Sequence, residues 1–288
     1  MVQPVIRLVA LDLDGTLLTD QKQLTARTRA ALLAAMARGV QVVPATGRTV
    51  NGIDPAVRAL PGLRYAITAN GARVVDLAEG RVLHSCTIPT PLALQAYDAL
   101  QAYDCVVDLF HGGQGYATRR SFEHYARLAS PNMLPYLRTT RTEVPDLRAL
   151  IAAQPAGVEK LSVLFGSEAQ RLAAWEQMEA LGLTVVSSLN RNMELNAPGV
   201  NKGDGLLRLA AHLGIPPAQT LACGDGGNDI PMLRAAGVGV AMANALPEVK
   251  AAADRLTAGN EEEGVAQILE ELVLRCPRGP HKEAPQWN

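Results

Sequence analysis

Long apolar runs that stop abruptly at polar residues set the rhythm of this chain. Residues 6–11 are apolar apart from Arg7 and predict a strand buried on both faces. Thr25 can cap a helix over residues 26–38, with Ala30, Leu33, Ala34 and Ala37 expected on one apolar face and Gly39 closing it. Residues 40–45 predict a second strand, reached by a right-handed crossover. Residues 49–60 read as a weaker helix broken by Gly52 and Pro55, and residues 65–69 as a third strand. That strand runs into Asn70-Gly71, a strong hairpin signal, so 73–76 and 81–85 predict an antiparallel margin.

From Pro89 to Ser188 the character changes. Helices are expected over 92–103, 145–154 and 168–181, and strands over 105–110, 116–119, 158–165 and 184–188. Residues 120–141, containing Pro131 and Pro135, carry no clear period. This mixture predicts a separate α+β layer with an antiparallel sheet. The parallel pattern then resumes: 193–196 leads into Asn201-Lys202-Gly203, followed by helices over 204–213, 230–236, 247–252 and 263–274 and strands over 220–223 and 238–242.

The ends of the apolar runs hold the chemistry. The first ends at Asp12-Leu13-Asp14-Gly15-Thr16, the second at Thr46-Gly47-Arg48, and the strand at 220–223 at Gly224-Asp225-Gly226-Gly227-Asn228-Asp229. In an open α/β sheet, ligands bind beyond the carboxyl ends of the strands. Taken singly, these are ordinary turn or cap residues: an Asx turn at Asp14, a helix cap at Thr46, a surface lysine at Lys202. Gathered at one edge, the carboxylates suit Mg²⁺, and the lysine, hydroxyl and glycine-rich N–H groups suit a phosphate dianion. Together they point to phosphoryl transfer with an aspartyl nucleophile.

That ordered set resembles the haloacid dehalogenase (HAD) superfamily. Asp12-Leu13-Asp14-Gly15-Thr16 stands as its first signature, Thr46 as the second, Lys202 as the third, and the run from Gly224 to Asp229 as the fourth. Thr46-Gly47-Arg48, Asn70-Gly71-Ala72 and Asn201-Lys202-Gly203 look like its Cof-like subgroup of sugar-phosphate and related phosphatases. The resemblance implies an α/β fold, a Rossmann-like parallel-sheet core with an inserted α+β cap. It implies Asp12 as nucleophile and metal ligand, and Asp14 as acid/base whose backbone carbonyl also binds Mg²⁺. Thr46, Gly47 and Lys202 would hold phosphoryl oxygens, and Asn228 would orient the phosphate or Lys202. Asp225 and Asp229 would complete the metal set, Asp229 directly or through water. Arg48, Asn70, His111, Arg119, Arg120 and Lys160 are candidate substrate contacts.

Spacing locates the cap. One helix and one strand fill the interval between Asp14 and Thr46, whereas the far longer interval from Thr46 to Lys202 has room for an insertion. Core is therefore expected over 1–86 and 189–275, cap over 87–188, and a flexible tail over 276–288. With 27 Lys and Arg against 28 Asp and Glu, net charge is −1, which argues against nucleic-acid binding. Cys86, Cys105, Cys223 and Cys276 form no CxxC pair and read as reduced thiols, and no apolar stretch is long enough to cross a membrane. The expectation is a cytoplasmic monomer or small homo-oligomer that hydrolyses a small phosphorylated metabolite. A phosphomutase of sugar phosphates is the alternative, and a catalytically silent binding protein on the same fold a further one.

Overall fold

A computed structural model describes residues 5–129, 133–188 and 191–275. The expected tail and Cys276 lie outside them. In chain order the strands are β1 (Leu8–Leu11), β2 (Gln41–Pro44), β3 (Tyr65–Thr68), β4 (Arg73–Asp76) and β5 (Arg81–Ser85). They continue as β6 (Cys105–His111), β7 (Gln114–Thr118), β8 (Arg141–Val144), β9 (Lys160–Phe165) and β10 (Thr184–Val186). The last four are β11 (Asn192–Asn196), β12 (Thr220–Gly224), β13 (Val238–Ala241) and β14 (Arg255–Leu256).

The core sheet is parallel, in the order β14-β13-β12-β1-β2. β1 is fully buried at its centre, as an unbroken apolar run requires. Leu11 stands level with Cys223 of β12 and Pro44 of β2. Three strand ends therefore open at one height. β3 extends the sheet through a parallel bridge between Ala45 and Ile67, and β3-β4-β5 form the antiparallel margin.

A second, six-stranded sheet has the order β10-β11-β9-β6-β7-β8, antiparallel except for the β7–β8 pair. Helices Thr90–Leu100, Leu147–Ala152 and Glu168–Ala180 bury one apolar face of it. Helices Arg119–Leu128 and Met133–Thr140 pack on the other through Tyr125, Leu137, Val106 and Leu164. Among the described residues no helix is long and apolar enough to cross a membrane.

Four expectations need correction. Residues 193–196 belong not to the resuming core but to the second sheet, because β11 pairs antiparallel with both β9 and β10. The boundary at residue 189 thus falls too early. Within the stretch 120–141 the structure has helices Arg119–Leu128 and Met133–Thr140, so it is not patternless. Helix Arg119–Leu128 starts at a Thr118–Ser121 capping box, and Phe122, Tyr125 and Leu128, at helical spacing, form the narrow apolar stripe that it packs on the sheet. The short edge strand β14 was not expected. Finally, helix Ala26–Ala37, capped by Thr25 as expected, buries Thr28, Ala31, Leu32 and Ala35. The predicted face is two positions out of phase, which puts Ala30, Ala34 and Ala37 on the exposed side, nearly opposite the buried one. Alanine and leucine occupy both faces, so only docking on the sheet sets the phase. Leu32→Ala should cost about 2–5 kcal/mol in urea unfolding while Ala30→Lys stays within about 0.5 kcal/mol. The reverse order would restore the first phase.

Candidate active site

Each strand end contributes one part of the site. β1 delivers Asp12, and the turn behind it is closed by Leu17 N–H donating to Asp12 O at 3.2 Å and Leu18 N–H to Leu13 O at 2.9 Å. Gly15 in this turn has φ +79°, and a Cβ there would stand 2.3 Å from Asp225 Oδ2. Only glycine lets the turn approach that carboxylate. Thr16 Oγ1 donates to Asp225 Oδ1 at 2.7 Å. Beyond β12, Asp229 Oδ2 accepts from the backbone N–H of Asp225 and Gly226, both at 3.0 Å, which folds the glycine-rich loop around its own acid.

Lys202 enters from elsewhere, at the first turn of helix Lys202–His212, whose N-cap Asn201 accepts from Asp204 N. Its ammonium is fully buried and donates to Asp12 Oδ1 at 2.6 Å and Asp229 Oδ1 at 2.7 Å. Carboxylate oxygens of Asp12, Asp225 and Asp229 all lie within 4.8 Å of one another.

Two acids two residues apart on the chain live in different fields. Burial pushes Asp12 well above the usual carboxylate range; Lys202 opposes this, and Asp229, Asp225 and Asp14 add to it. Burial acts on Asp14 too, but Arg48 and Lys22 outweigh it and hold that carboxyl low. Arg48 Nε and Nη2 grip Asp14 Oδ2 and Oδ1 at 2.8 and 2.6 Å, and Lys22 Nζ lies 2.7 Å from Oδ1. Burial would lower Lys202, but Asp12 and Asp229 reverse this and raise it. Asp225 is pushed up to about 6, chiefly by burial.

Hard oxygen donors fit a hard dication. Three clustered carboxylates share one ammonium, so the ionised cluster keeps an excess of negative charge that such a cation would balance.

The model of the haloacid dehalogenase-like hydrolases matches residues 9–269 of this chain. The chain belongs to that family. The hydrolase is 33% identical to the phosphatase YwpJ of Bacillus subtilis, covering 93% of this chain and all of the relative. It is 32% identical to the pyridoxal phosphate phosphatase YbhA of Escherichia coli, over 91% of this chain and 97% of the relative. A solved haloacid dehalogenase-like hydrolase from B. subtilis superposes with a TM-score of 0.81 at 32% identity, covering 93% of this chain and 100% of the other. With these relatives the chain is a phosphatase, a phosphoric monoester hydrolase of the HAD type and Cof-like subgroup.

The structure brings the core candidates of this hydrolase together and sorts the remainder. Thr46 is buried, and its Oγ1 accepts from Arg48 N at 3.1 Å. Asn228 Nδ2 donates to Asn70 Oδ1 at 3.3 Å, which places Asn70 on the site's flank. Lys160 is buried at the junction of the two sheets, not solvated. His111 lies at that junction too: it pairs with Gln114, whose side chain meets Asn51, and its buried Nδ1 has no hydrogen-bond partner. Arg119 and Arg120 are not brought to the site. They lie at the opposite end of β7 from Gln114, both exposed, with Arg119 paired to Glu123. A basic pair at a strand end resembled a phosphate contact, but that end faces away from the core.

Glu194, Asn196, Tyr136 and Lys22 were not expected. Glu194 Oε2 and Asn196 Oδ1 accept from Asn70 Nδ2 at 2.5 and 3.2 Å. Arg48 stacks on Tyr136 at 4.9 Å. For the strand there was a signal: Asn192, Glu194 and Asn196 recur on a two-residue period and mark one polar face. Nothing in the sequence pointed to Lys22 or Tyr136.

Because the folded Asp225 carboxyl binds its proton more tightly than an unfolded one, its contribution to stability is full below the ordinary aspartate pKa. It is lost as pH rises through about 6. Added MgCl₂ should therefore raise Tm more at about pH 7.5 than at about pH 5, and Asp225→Asn should erase the difference. An equal rise at both pH values would contradict the assignment of Asp225 to the metal.

Proposed function

We propose that this hydrolase is a Mg²⁺-dependent phosphatase of small phosphorylated metabolites, sugar phosphates above all, working through an aspartyl-phosphate on Asp12. One observation carries the proposal: the Asp12 carboxylate is held at 2.6 Å by a buried lysine beside two further acids, while Asp14 is withdrawn onto Arg48. Asp12, Asp225 and Asp229, with the backbone carbonyl of Asp14, would hold the metal. Mg²⁺ there would supply positive charge against two anions that must meet.

The chain's own groups do the rest. Lys202, the Thr46 hydroxyl and the backbone N–H groups of Leu13 and Gly47 bind phosphoryl oxygens, with Asn228 beside them. An Asp12 oxygen attacks phosphorus, and the bond from phosphorus to the ester oxygen breaks. Asp14 gives its proton to that oxygen. It then takes a proton from water, which attacks the phosphoryl group and frees Asp12. The first half needs Asp14 protonated, and the second needs it ionised. Its grip on Arg48 and Lys22 favours the ionised form, so substrate must loosen that ion pair before the first step.

The substrate class draws support from the pyridoxal phosphate phosphatase relative, whose substrate is a small phosphomonoester. The helix–sheet–helix lid, with polar groups of β11 turned to the core, suits a small polar leaving group.

Purified protein should hydrolyse an aryl phosphate in Mg²⁺ and lose that activity with EDTA. Asp12→Asn should lower kcat by at least about 10³-fold while its circular dichroism at about 25 °C stays that of the folded wild type. Absence of Mg²⁺-dependent turnover in the wild type would sink the proposal. Interconversion of sugar phosphates without release of phosphate would replace it with a mutase.

A further inference from the structure

Three consecutive carbonyls carry the loop after β2 past the expected phosphate position, and they have different holders. Thr46 O accepts from Asn70 N at 3.1 Å, and Arg48 O accepts from Ala69 N at 2.9 Å; both donors belong to the core. Gly47 O, between them, accepts at 2.5 Å from Lys160 Nζ, on β9 of the cap. In a trans peptide the C=O and N–H point in opposite directions. Gripping Gly47 O therefore aims the Arg48 N–H of the same peptide the other way, where it donates to Thr46 Oγ1 at 3.1 Å. With that lone pair taken, the Thr46 hydroxyl directs its own proton elsewhere. One peptide plane thus links a cap lysine to a core hydroxyl, and the same plane begins the Arg48 side chain that grips Asp14.

Lys160 is itself held in place. Its buried ammonium lies 3.2 Å from Glu194 Oε1 and 4.4 Å from the centre of the Phe110 ring. Glu194 Oε2 accepts from Asn70 Nδ2 at 2.5 Å, and Asn70 Oδ1 accepts from Asn228 Nδ2 at 3.3 Å. A Cβ on Gly47 would stand 2.9 Å from both Asn70 Oδ1 and Glu194 Oε2, so a glycine there lets the cap carboxylate close on the loop.

We propose that Lys160, held by Glu194, is a positioning residue that completes the phosphate-binding loop from the cap. It orients the Gly47–Arg48 peptide and, through it, the Thr46 hydroxyl, so that the loop is fully set only when the cap is seated. This rests on the phosphatase reading of the site. It also reassigns Lys160, which the sequence offered as a substrate contact: the ammonium is committed to a carbonyl, a carboxylate and a ring.

The test compares wild type, Lys160→Met, Glu194→Gln and the double variant by aryl phosphate kinetics in Mg²⁺, by calorimetric affinity for orthovanadate, and by Tm. Each single variant leaves a buried group without its partner and lowers Tm; the double variant removes both charges and recovers most of it. Lys160→Met and the double variant should both lose about 10–100-fold in kcat and a similar factor in orthovanadate affinity, with KM within about threefold. A kcat that recovers along with Tm in the double variant, or an orthovanadate affinity equal to wild type in both, overturns the proposal. A wild type without turnover sinks the phosphatase reading alone; orthovanadate affinity then decides the role of Lys160 by itself.

Discussion

A single buried ammonium organises this molecule. Lys202 reaches Asp12 on the central strand and Asp229 on the loop after β12, at 2.6 and 2.7 Å, with no exposure to solvent. Each neighbouring feature follows from that arrangement. Asp229 can face the lysine because its other oxygen is satisfied by two backbone N–H groups. Asp225 can stand beside them because Thr16 holds one of its oxygens. Removing one partner of such a buried pair typically costs about 3–5 kcal/mol, because the group left behind is charged and dry. Yet one ammonium does not balance three acids, and the ionised cluster keeps an excess of negative charge that a dication would balance.

The division of labour between Asp12 and Asp14 has the same origin. Both are carboxylates on one turn. Asp12 is turned into the buried cluster, where burial and its acidic neighbours act against ionisation. Asp14 is turned to Arg48 and Lys22, which keep it ionised. Arg48 in turn stacks on Tyr136 of the cap, and Lys160 of the cap grips the peptide before Arg48. The second layer is thus part of the site's geometry as well as a cover over it.

What the sequence made legible was whatever local chemistry and register determine. An apolar run that ends at an acid must place that acid at a strand end, and three parallel strands in register bring three such ends together. Asp12, Thr46 and Asp225 could therefore be found without coordinates, as could the long interval that houses the cap. Less legible were features decided by packing. The phase of helix Ala26–Ala37 was ambiguous because alanine and leucine line both faces. Helix Arg119–Leu128 is mostly polar, and only the narrow stripe Phe122, Tyr125 and Leu128 marks the face that it packs. β11 reads as a short strand leading back to the core, and only its pairing with β9 and β10 shows that it belongs to the cap. That misplacement hid Glu194 and Asn196. Arg119 and Arg120 failed for a simpler reason: a basic pair does not say which end of a strand faces the site.

The most direct measurement is a search for the phosphoryl group on Asp12. In Asp14→Asn, an aryl phosphate with a good leaving group needs little proton donation, so the first step survives while attack by water loses its base. Acid-quenched Asp14→Asn should then gain the mass of one phosphoryl group in Mg²⁺, and peptide mapping should place it on Asp12. A protein that turns over substrate yet gains no such mass, or carries the phosphoryl group on another residue, would contradict a mechanism centred on Asp12 and Lys202.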